Sequence, residues 1–77
     1  MHKQLRAYRR ARGIRQAELA HELGFANASG IWRRERPPWH PEHVPMSRLD
    51  FAEAIAAIER IVERRQREMS VAEVLAP

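Results

Sequence analysis

Hydrophobic residues recur at helical spacing along most of this chain and divide it into amphipathic segments. In the first segment, Met1, Leu5 and Tyr8 fall at i, i+4 and i+7, which places them on one face of a helix. A helix is therefore predicted over residues 2–12. Gly13 follows it directly and is expected to end it.

A second helix is predicted over residues 15–23, where Leu19 and Leu23 share one face. Gly24 comes next, at the position where a residue that tolerates positive φ commonly ends a helix. Ile14 lies just before this helix and is expected to pack into the core.

A third short helix is predicted over residues 27–35. Asn27 is suited to cap it, and Ala28, Ile31 and Trp32 repeat at i, i+3 and i+4. Two short helices joined by so tight a turn cross steeply, which is the arrangement of a helix-turn-helix.

Residues 36–45 contain four prolines, which exclude a helix there. Trp39 is expected to pack back on the domain and to pin this connection. Ser47 and Asp50 then have the spacing of a capping box, and the longest helix is predicted from there to about residue 66 or 69. Its expected apolar face consists of Leu49, Ala52, Ile55, Ala56, Ile58, Ile61 and Val62.

The last segment repeats the capping-box spacing at Ser70 and Glu73, so a short terminal helix is predicted over residues 71–76. Its Val71, Val74 and Leu75 need an apolar cover. Either a fold-back within one chain or a second copy of the chain would supply it, and the pattern does not choose between them.

Composition limits the chain to one small domain, residues 1–77, with a thin core. The chain has no cysteine, which excludes disulfides and thiolate metal sites. It shows no apolar run long enough to cross a bilayer and no N-terminal signal peptide, so a cytoplasmic protein is expected. His40 and His43 lack the regular geometry of a metal site, and no cofactor or metal is predicted.

Positive charge is concentrated in the first half of the chain. Residues 1–36 hold nine basic and three acidic side chains, a net charge of +6, whereas residues 37–77 hold five basic and seven acidic ones, a net charge of −2. This asymmetry favours a polyanionic partner for the end that carries the two crossed helices. A solvated arginine-rich surface is the alternative.

The segment from Gln16 to Gly24, with Leu-Ala at 19–20 and Leu-Gly at 23–24, resembles the opening of the helix-turn-helix in the Cro/repressor-type family. The resemblance extends over roughly residues 5–61, and its specific part is the first half of the motif. It implies an all-α, compact four- to five-helix lambda-repressor-like DNA-binding domain with a long C-terminal helix. The function it implies is that of a transcriptional regulator, most simply a repressor from a phage or mobile element that lies with the nucleoid.

The second half of the motif departs from the family pattern. Keeping the family's register would bury Gly30 and Arg33, and burying an unpaired guanidinium is costly. One residue inserted in the turn would bury Ile31 instead but would leave Arg34 in an apolar position. An unusual turn, or an unusual start of the third helix, is therefore expected.

The resemblance places the start of the third helix in the major groove of duplex DNA. The side chains expected to contact bases there are those of Asn27, Ala28, Ser29 and Arg33. Those expected to contact phosphates are Arg10, Arg12, Arg15, Gln16, Arg34 and Arg36, the role of Gln16 following from the resemblance alone. Helix capping is the alternative for Asn27 and Ser29, and a core position is the preferred role of Trp32.

DNA readers of this kind bind paired half-sites as dimers. The region from about residue 58 to 77 is therefore expected to hold a homodimer together, through Ile58, Ile61, Val62, Val71, Val74 and Leu75.

Two other interpretations of the function stay open. One is an antitoxin-like or adaptor module that binds a protein, and the other is a winged-helix protein, which would need a β-hairpin near Val44 and Pro45. No enzyme is predicted, because the sequence shows no cysteine nucleophile, no Gly-rich phosphate loop and no paired acids in a plausible cleft.

Overall fold

Four α-helices form the computed structural model, which describes residues 2–75 apart from the side chains of Ala72, Glu73 and Leu75. α1 spans His2–Ala11, α2 Gln16–Glu22, α3 Ser29–Arg34 and α4 Arg48–Leu75. The described part contains no β-strand, which confirms the all-α prediction and leaves the winged-helix reading without its hairpin.

Glycines end the first two helices as predicted. Gly13 follows α1 with φ of +67°, and Gly24 follows α2 with φ of +78°, a region that side chains with a Cβ rarely enter. After Gly24 the chain turns back, and the amide of Phe25 donates to the carbonyl of Ala20 at 2.9 Å. The turn after α2 is thus fixed by backbone hydrogen bonds.

The first two helices lie on α4, and α2 also packs against α3. Leu5 from α1, Leu19 from α2, Ile31 from α3 and Ile58 from α4 are all fully buried. Ile14, between α1 and α2, is 2% exposed, as expected. A single core therefore joins all four helices.

α4 begins with the predicted capping box. The amide of Asp50 donates to Ser47 Oγ at 3.0 Å, and the amide of Ser47 donates to Asp50 Oδ2 at 3.4 Å. The predicted apolar face is only partly right, because Leu49 is 68% exposed. Ala52 and Ala56 are exposed as well, and the helix turns the stripe that contains Phe51, Ala54, Ala57, Ile58 and Ile61 toward the core.

The predicted break near residue 70 is wrong, since α4 continues through it to Leu75. Ser70 does not cap a new helix, and its Oγ donates to the carbonyl of Gln66 at 3.0 Å inside the helix. Arg65 is the last side chain of α4 that reaches the other helices. Its guanidinium donates to the carbonyl of Gly13 at 3.3 Å and pairs with Glu18.

Beyond Arg65, every α4 side chain that the structure describes is exposed. The 28 residues of α4 extend over about 42 Å at the usual rise per residue, and the molecule measures 53 × 21 × 18 Å. The domain is thus elongated by a projecting helix end. The compact shape expected from the family resemblance is not the one observed. Within the described residues, no helix combines the length and apolar character that crossing a membrane requires.

Candidate nucleic-acid interface

α3 presents one face to the core and the opposite face to solvent. Ile31 is fully buried, and Glu35, one turn later, is 2% exposed. Ser29 and Arg33 lie on the opposite side, and both are exposed. A six-residue helix has little stability of its own, so its orientation depends on what holds its inner face.

A buried ion pair holds that inner face. Arg9 of α1 donates from Nε to Glu35 Oε2 at 2.7 Å and from its NH2 group to Oε1 at 2.9 Å. Its remaining NH1 group donates to the carbonyl of Ile14 at 2.6 Å, and Gln16 Nε2 donates to Glu35 Oε1 at 3.0 Å. No buried side-chain nitrogen or oxygen of the described residues lacks a hydrogen-bond partner. The network therefore links α1, the start of α2 and the end of α3 without leaving an unpaired charge.

The outer face of α3 borders a shallow depression of about 350 Å³. Its lining residues are Phe25, Ala26, Asn27, Ser29, Gly30, Arg33 and Arg34. Three of the four predicted base-contacting residues thus lie around one surface, together with one of the predicted phosphate-contacting arginines.

Gly30 permits the close packing at one edge of this depression. A Cβ at that position would lie 2.8 Å from Cδ2 of Phe25, so a larger residue would displace the ring. The guanidinium of Arg34 lies 4.8 Å from the centre of the same ring and donates to the carbonyl of Gly30 at 2.9 Å. Arg34 therefore occupies the apolar position that the inserted-residue register implied, with its charge at the surface.

The predicted base-contacting residues differ in how accessible they are. Asn27 is exposed, and its Oδ1 accepts the amide of Ser29 at 2.9 Å. The prediction that Asn27 caps α3 is wrong, because it lies one residue before the N-cap, which has no side-chain capping hydrogen bond. The side-chain NH2 group of Asn27 forms no hydrogen bond with another described residue, so its two donors stay available to an external acceptor. Ala28 is half-buried and occupies the N-cap position, so α3 begins two residues later than predicted.

The predicted phosphate-contacting residues fall into three groups. Arg10 and Arg15 are exposed, and Arg15 lies next to Glu18 at the start of α2. Arg36, like Arg34, lies against an aromatic ring, since its guanidinium is 4.7 Å from the centre of the Trp32 ring.

Of the six predicted phosphate-contacting residues only Arg34 lines the depression, and two of the others are engaged within the chain. Arg12 lies 3.3 Å from the ring centre of Tyr8, and its Nε lies 3.9 Å from a carboxylate oxygen of Glu59 on α4. Gln16 donates to Glu35, as described above, so its nitrogen is already used in positioning α3.

Arginines of α4 neutralise both acidic residues of α2. Arg65 pairs with Glu18, while Arg60 and Arg64 donate to the two carboxylate oxygens of Glu22 at 3.2 and 2.8 Å. Hydrogen bonds first from Arg64 and then from Arg60 lower the pKa of Glu22, and the same pairing raises the pKa of Arg64. With Glu35 held by Arg9, each acidic group of residues 2–36 has a cationic partner.

The predicted dimer residues divide between core and surface. Ile58 and Ile61 are buried in the core of the single chain, and Val62 packs against that core, so the monomer already covers them. Val71 is 56% and Val74 83% exposed on the projecting end of α4. The side chain of Leu75 lies outside the described residues.

Sequence reasoning missed two features of this region. Arg9 and Glu35 follow the core residues Leu5 and Ile31 by one helical turn each, so two opposite charges in core positions were the available signal for a buried pair. Trp39, which was expected to pack against the domain, is instead 80% exposed. Trp32 is half-buried and lies edge-on to His40 at 5.5 Å between ring centres.

Comparison of the chain with protein-family models, curated proteins and solved structures found no match. Within residues 2–75, no group of three or more histidine or acidic side chains has the geometry to hold a metal ion. The chemistry of the depression is that of amide, hydroxyl and guanidinium groups, which recognise base edges and phosphates.

Proposed function

We propose that this protein is a sequence-specific DNA-binding transcriptional regulator, with α3 in the major groove and arginines on the flanking phosphates. The observation that carries the proposal is the common exposure of Asn27, Ser29 and Arg33 around one depression on the outer face of α3. An amide pairs with adenine and a guanidinium with guanine in that groove. The resemblance of residues 16–24 to the Cro/repressor-type motif supports the same proposal.

Electrostatics supports it independently. The acids of the first half are paired with arginines, whereas Lys3, Arg6, Arg10 and Arg33 are exposed and form no ion pair with another described residue. The sequence charge of +6 is therefore presented by a surface whose own carboxylates are already neutralised. Such a surface attracts a polyanion over a distance of about one Debye length, roughly 8–10 Å at physiological salt.

A dimer that binds a palindromic operator, and represses by occupying it, is the form of regulation that we propose. Two-fold operators match two-fold protein dimers, and one α3 would then enter each half-site. Val71 and Val74 are the predicted dimer residues that remain exposed, so the projecting end of α4 is where the second copy would bind.

The test is a binding selection with genomic DNA fragments, including the region upstream of the protein's own gene, followed by titration of the selected duplex. Arg33→Ala is expected to weaken binding and to relax the preference at one base pair, by about 1–3 kcal/mol of discrimination. Arg48→Ala is the matched control, because this arginine is also exposed but lies at the start of α4, where it neither lines the depression nor belongs to the projecting end. Equal effects of the two substitutions, or binding that does not weaken with added salt, would contradict the proposal.

The second candidate is an antitoxin-like or adaptor module that binds a protein. The observation that favours it is the exposure of Val71 and Val74, since a protein partner would cover them as well as a second copy would. A chain that stays monomeric at high concentration and retains no duplex in the selection would favour this candidate over a DNA-binding dimer.

A further inference from the structure

Trp39 lies in the loop between α3 and α4. This loop belongs to no helix, but hydrogen bonds fix its conformation. We call residues 37–43 the Trp39 loop. Two consecutive turns shape it, with the amide of His40 donating to the carbonyl of Pro37 at 2.9 Å and that of His43 to the carbonyl of His40 at 3.0 Å. Prolines in the loop restrict φ and so reduce the entropy that folding removes.

The Trp39 loop is also tied to the end of α3. The ring nitrogen Nδ1 of His43 donates to the carbonyl of Arg36 at 2.7 Å, and the amide of Val44 donates to the carbonyl of Arg33 at 3.3 Å. Trp39 is thus presented at 80% exposure from a loop that is hydrogen-bonded to the end of α3.

A chain of aromatic contacts connects the indole to α3. The rings of Trp39 and His40 lie 6.1 Å apart and tilted, His40 lies edge-on to Trp32, and the guanidinium of Arg36 covers the Trp32 ring. Arg36 also donates from Nε to the carbonyl of Trp32 at 3.2 Å, which leaves its two terminal nitrogens for an external acceptor.

The surroundings of the loop are cationic on the α3 side, and a histidine lies on the other side. Arg33 and Arg36 lie on the α3 side, and the ring of His2 lies 6.4 Å from that of His43, which brings the start of α1 alongside. Desolvation, followed by neighbouring positive charges, lowers the pKa of His2. Glu42 is the only acid between residues 36 and 49.

We propose that Trp39 contacts the sugar–phosphate backbone of the duplex that α3 reads, immediately beside the α3 contacts. The proposal rests on the DNA-binding function proposed above. It adds a contact with the DNA backbone that is made by an aromatic side chain, beside the phosphate contacts made by arginines. An indole offers an apolar face for deoxyribose and an Nε1–H that donates to a phosphate oxygen, and Arg36 adds charge next to it. A backbone contact of this kind sets the position of the protein on DNA and reads no base.

The first measurement uses Trp32→Phe, which leaves Trp39 as the only tryptophan. Saturating duplex is expected to shift its emission and to reduce its quenching by acrylamide. Emission and quenching that stay unchanged at saturation would overturn the proposal. Shielding that needs no duplex and follows protein concentration would also overturn it, in favour of a protein contact.

The second measurement compares Trp39→Ala with Arg36→Ala on the selected duplex and on a scrambled one. Trp39→Ala is expected to weaken both complexes by about fivefold to twentyfold, the size of one hydrogen bond with its apolar contact. The slope of log affinity against log salt should stay at the parent value, because the indole carries no charge. Arg36→Ala should reduce that slope by about 0.9, as one lost phosphate contact does.

Failure of this inference differs from failure of the proposed function. Parent binding that depends on Arg33 but not on Trp39 overturns the inference and leaves the function standing. A parent that binds no duplex overturns both. Loss of folding does not confuse these outcomes, since so exposed a side chain contributes little to stability, and thermal unfolding of Trp39→Ala should match that of the parent.

Discussion

Removing either partner of the buried Arg9–Glu35 pair should destabilise the protein severely. The Glu35 side chain is fully buried and that of Arg9 is 9% exposed, so truncating one leaves the other charge with little access to water. Breaking such a pair costs about 3–5 kcal/mol. A domain of 77 residues has a total stability of roughly 4–12 kcal/mol, so Arg9→Met or Glu35→Leu should remove about a quarter of it or more.

Removing both partners should cost much less than the sum of the two single changes. The double variant Arg9→Met/Glu35→Leu leaves no buried charge, and apolar replacement of buried pairs is often neutral or stabilising. Two hydrogen bonds are still lost, from Arg9 to the carbonyl of Ile14 and from Gln16 to Glu35, at about 1 kcal/mol each. The coupling energy between the two positions should therefore amount to several kcal/mol.

Urea unfolding followed by far-UV circular dichroism measures all four free energies of this cycle. Arg10→Met is the matched control, because Arg10 is the next residue of α1 and is exposed, and it should shift stability by no more than about 0.5 kcal/mol. Single variants that lose less than about 1 kcal/mol, or a double variant that loses the full sum, would refute the reasoning, because an uncompensated buried charge would then not dominate.

Three further predictions concern stability. Glu22→Gln should destabilise the protein at pH 7, because the pairing with arginine stabilises the ionised carboxylate. The difference in unfolding free energy from the parent should vanish as pH falls through the lowered pKa of Glu22, which lies below its ordinary 4.5. A difference that stays constant in urea titrations from pH 7 to acid would count against it. Gly30→Ala should fail to gain the roughly 1 kcal/mol that this change brings in an open helix, because the new Cβ would lie 2.8 Å from Phe25, with Ser29→Ala as the control in the same thermal melts. Deleting residues 67–77 should lower the Tm by less than about 5 °C, since the described side chains there are exposed, and a larger drop for the monomer would mean that this end packs on the body.

Much of the first half of the fold was predictable because local signals decide it. Glycines at 13 and 24 have the positive φ that helix ends favour, and the bounds of α1 and α2 differ from the predicted ones by only a residue or so at each end. Ser47 and Asp50 likewise formed the expected cap. In each case the residues that determine the local structure are neighbours in the sequence.

The second half was harder because local signals do not decide the structure there. Ser70 and Glu73 have capping spacing, yet an established helix simply continues, since extending it costs less than starting another. The rotation of α4 was also misjudged, because Leu49 was counted with the core while Ala54 and Ala57, which fit against the other helices, were not.

The candidate site was predicted by residue type, and the structure shows how its members are arranged. Asn27, Ser29 and Arg33 are exposed around one depression, whereas Gln16 donates to Glu35 and the exposed Arg12 lies against Tyr8 and near Glu59. The outward position of Trp39 had no sequence signal, because burial of a loop residue depends on whether the fold leaves a cavity for it.

The ion pairs between α2 and α4 have a consequence for any fragment of this protein. A piece ending near residue 36 would keep the same formal charge as that region of the intact chain, but it would lack Arg60, Arg64 and Arg65. Its Glu22 would then lose both of its cationic partners and its Glu18 would keep only Arg15, so both carboxylates would repel an approaching anion more strongly. α4 thus influences the electric potential of the surface around α2 and α3, although it does not form that surface. Removing α4 would weaken the attraction of that surface for an anion even if the remaining helices stayed folded.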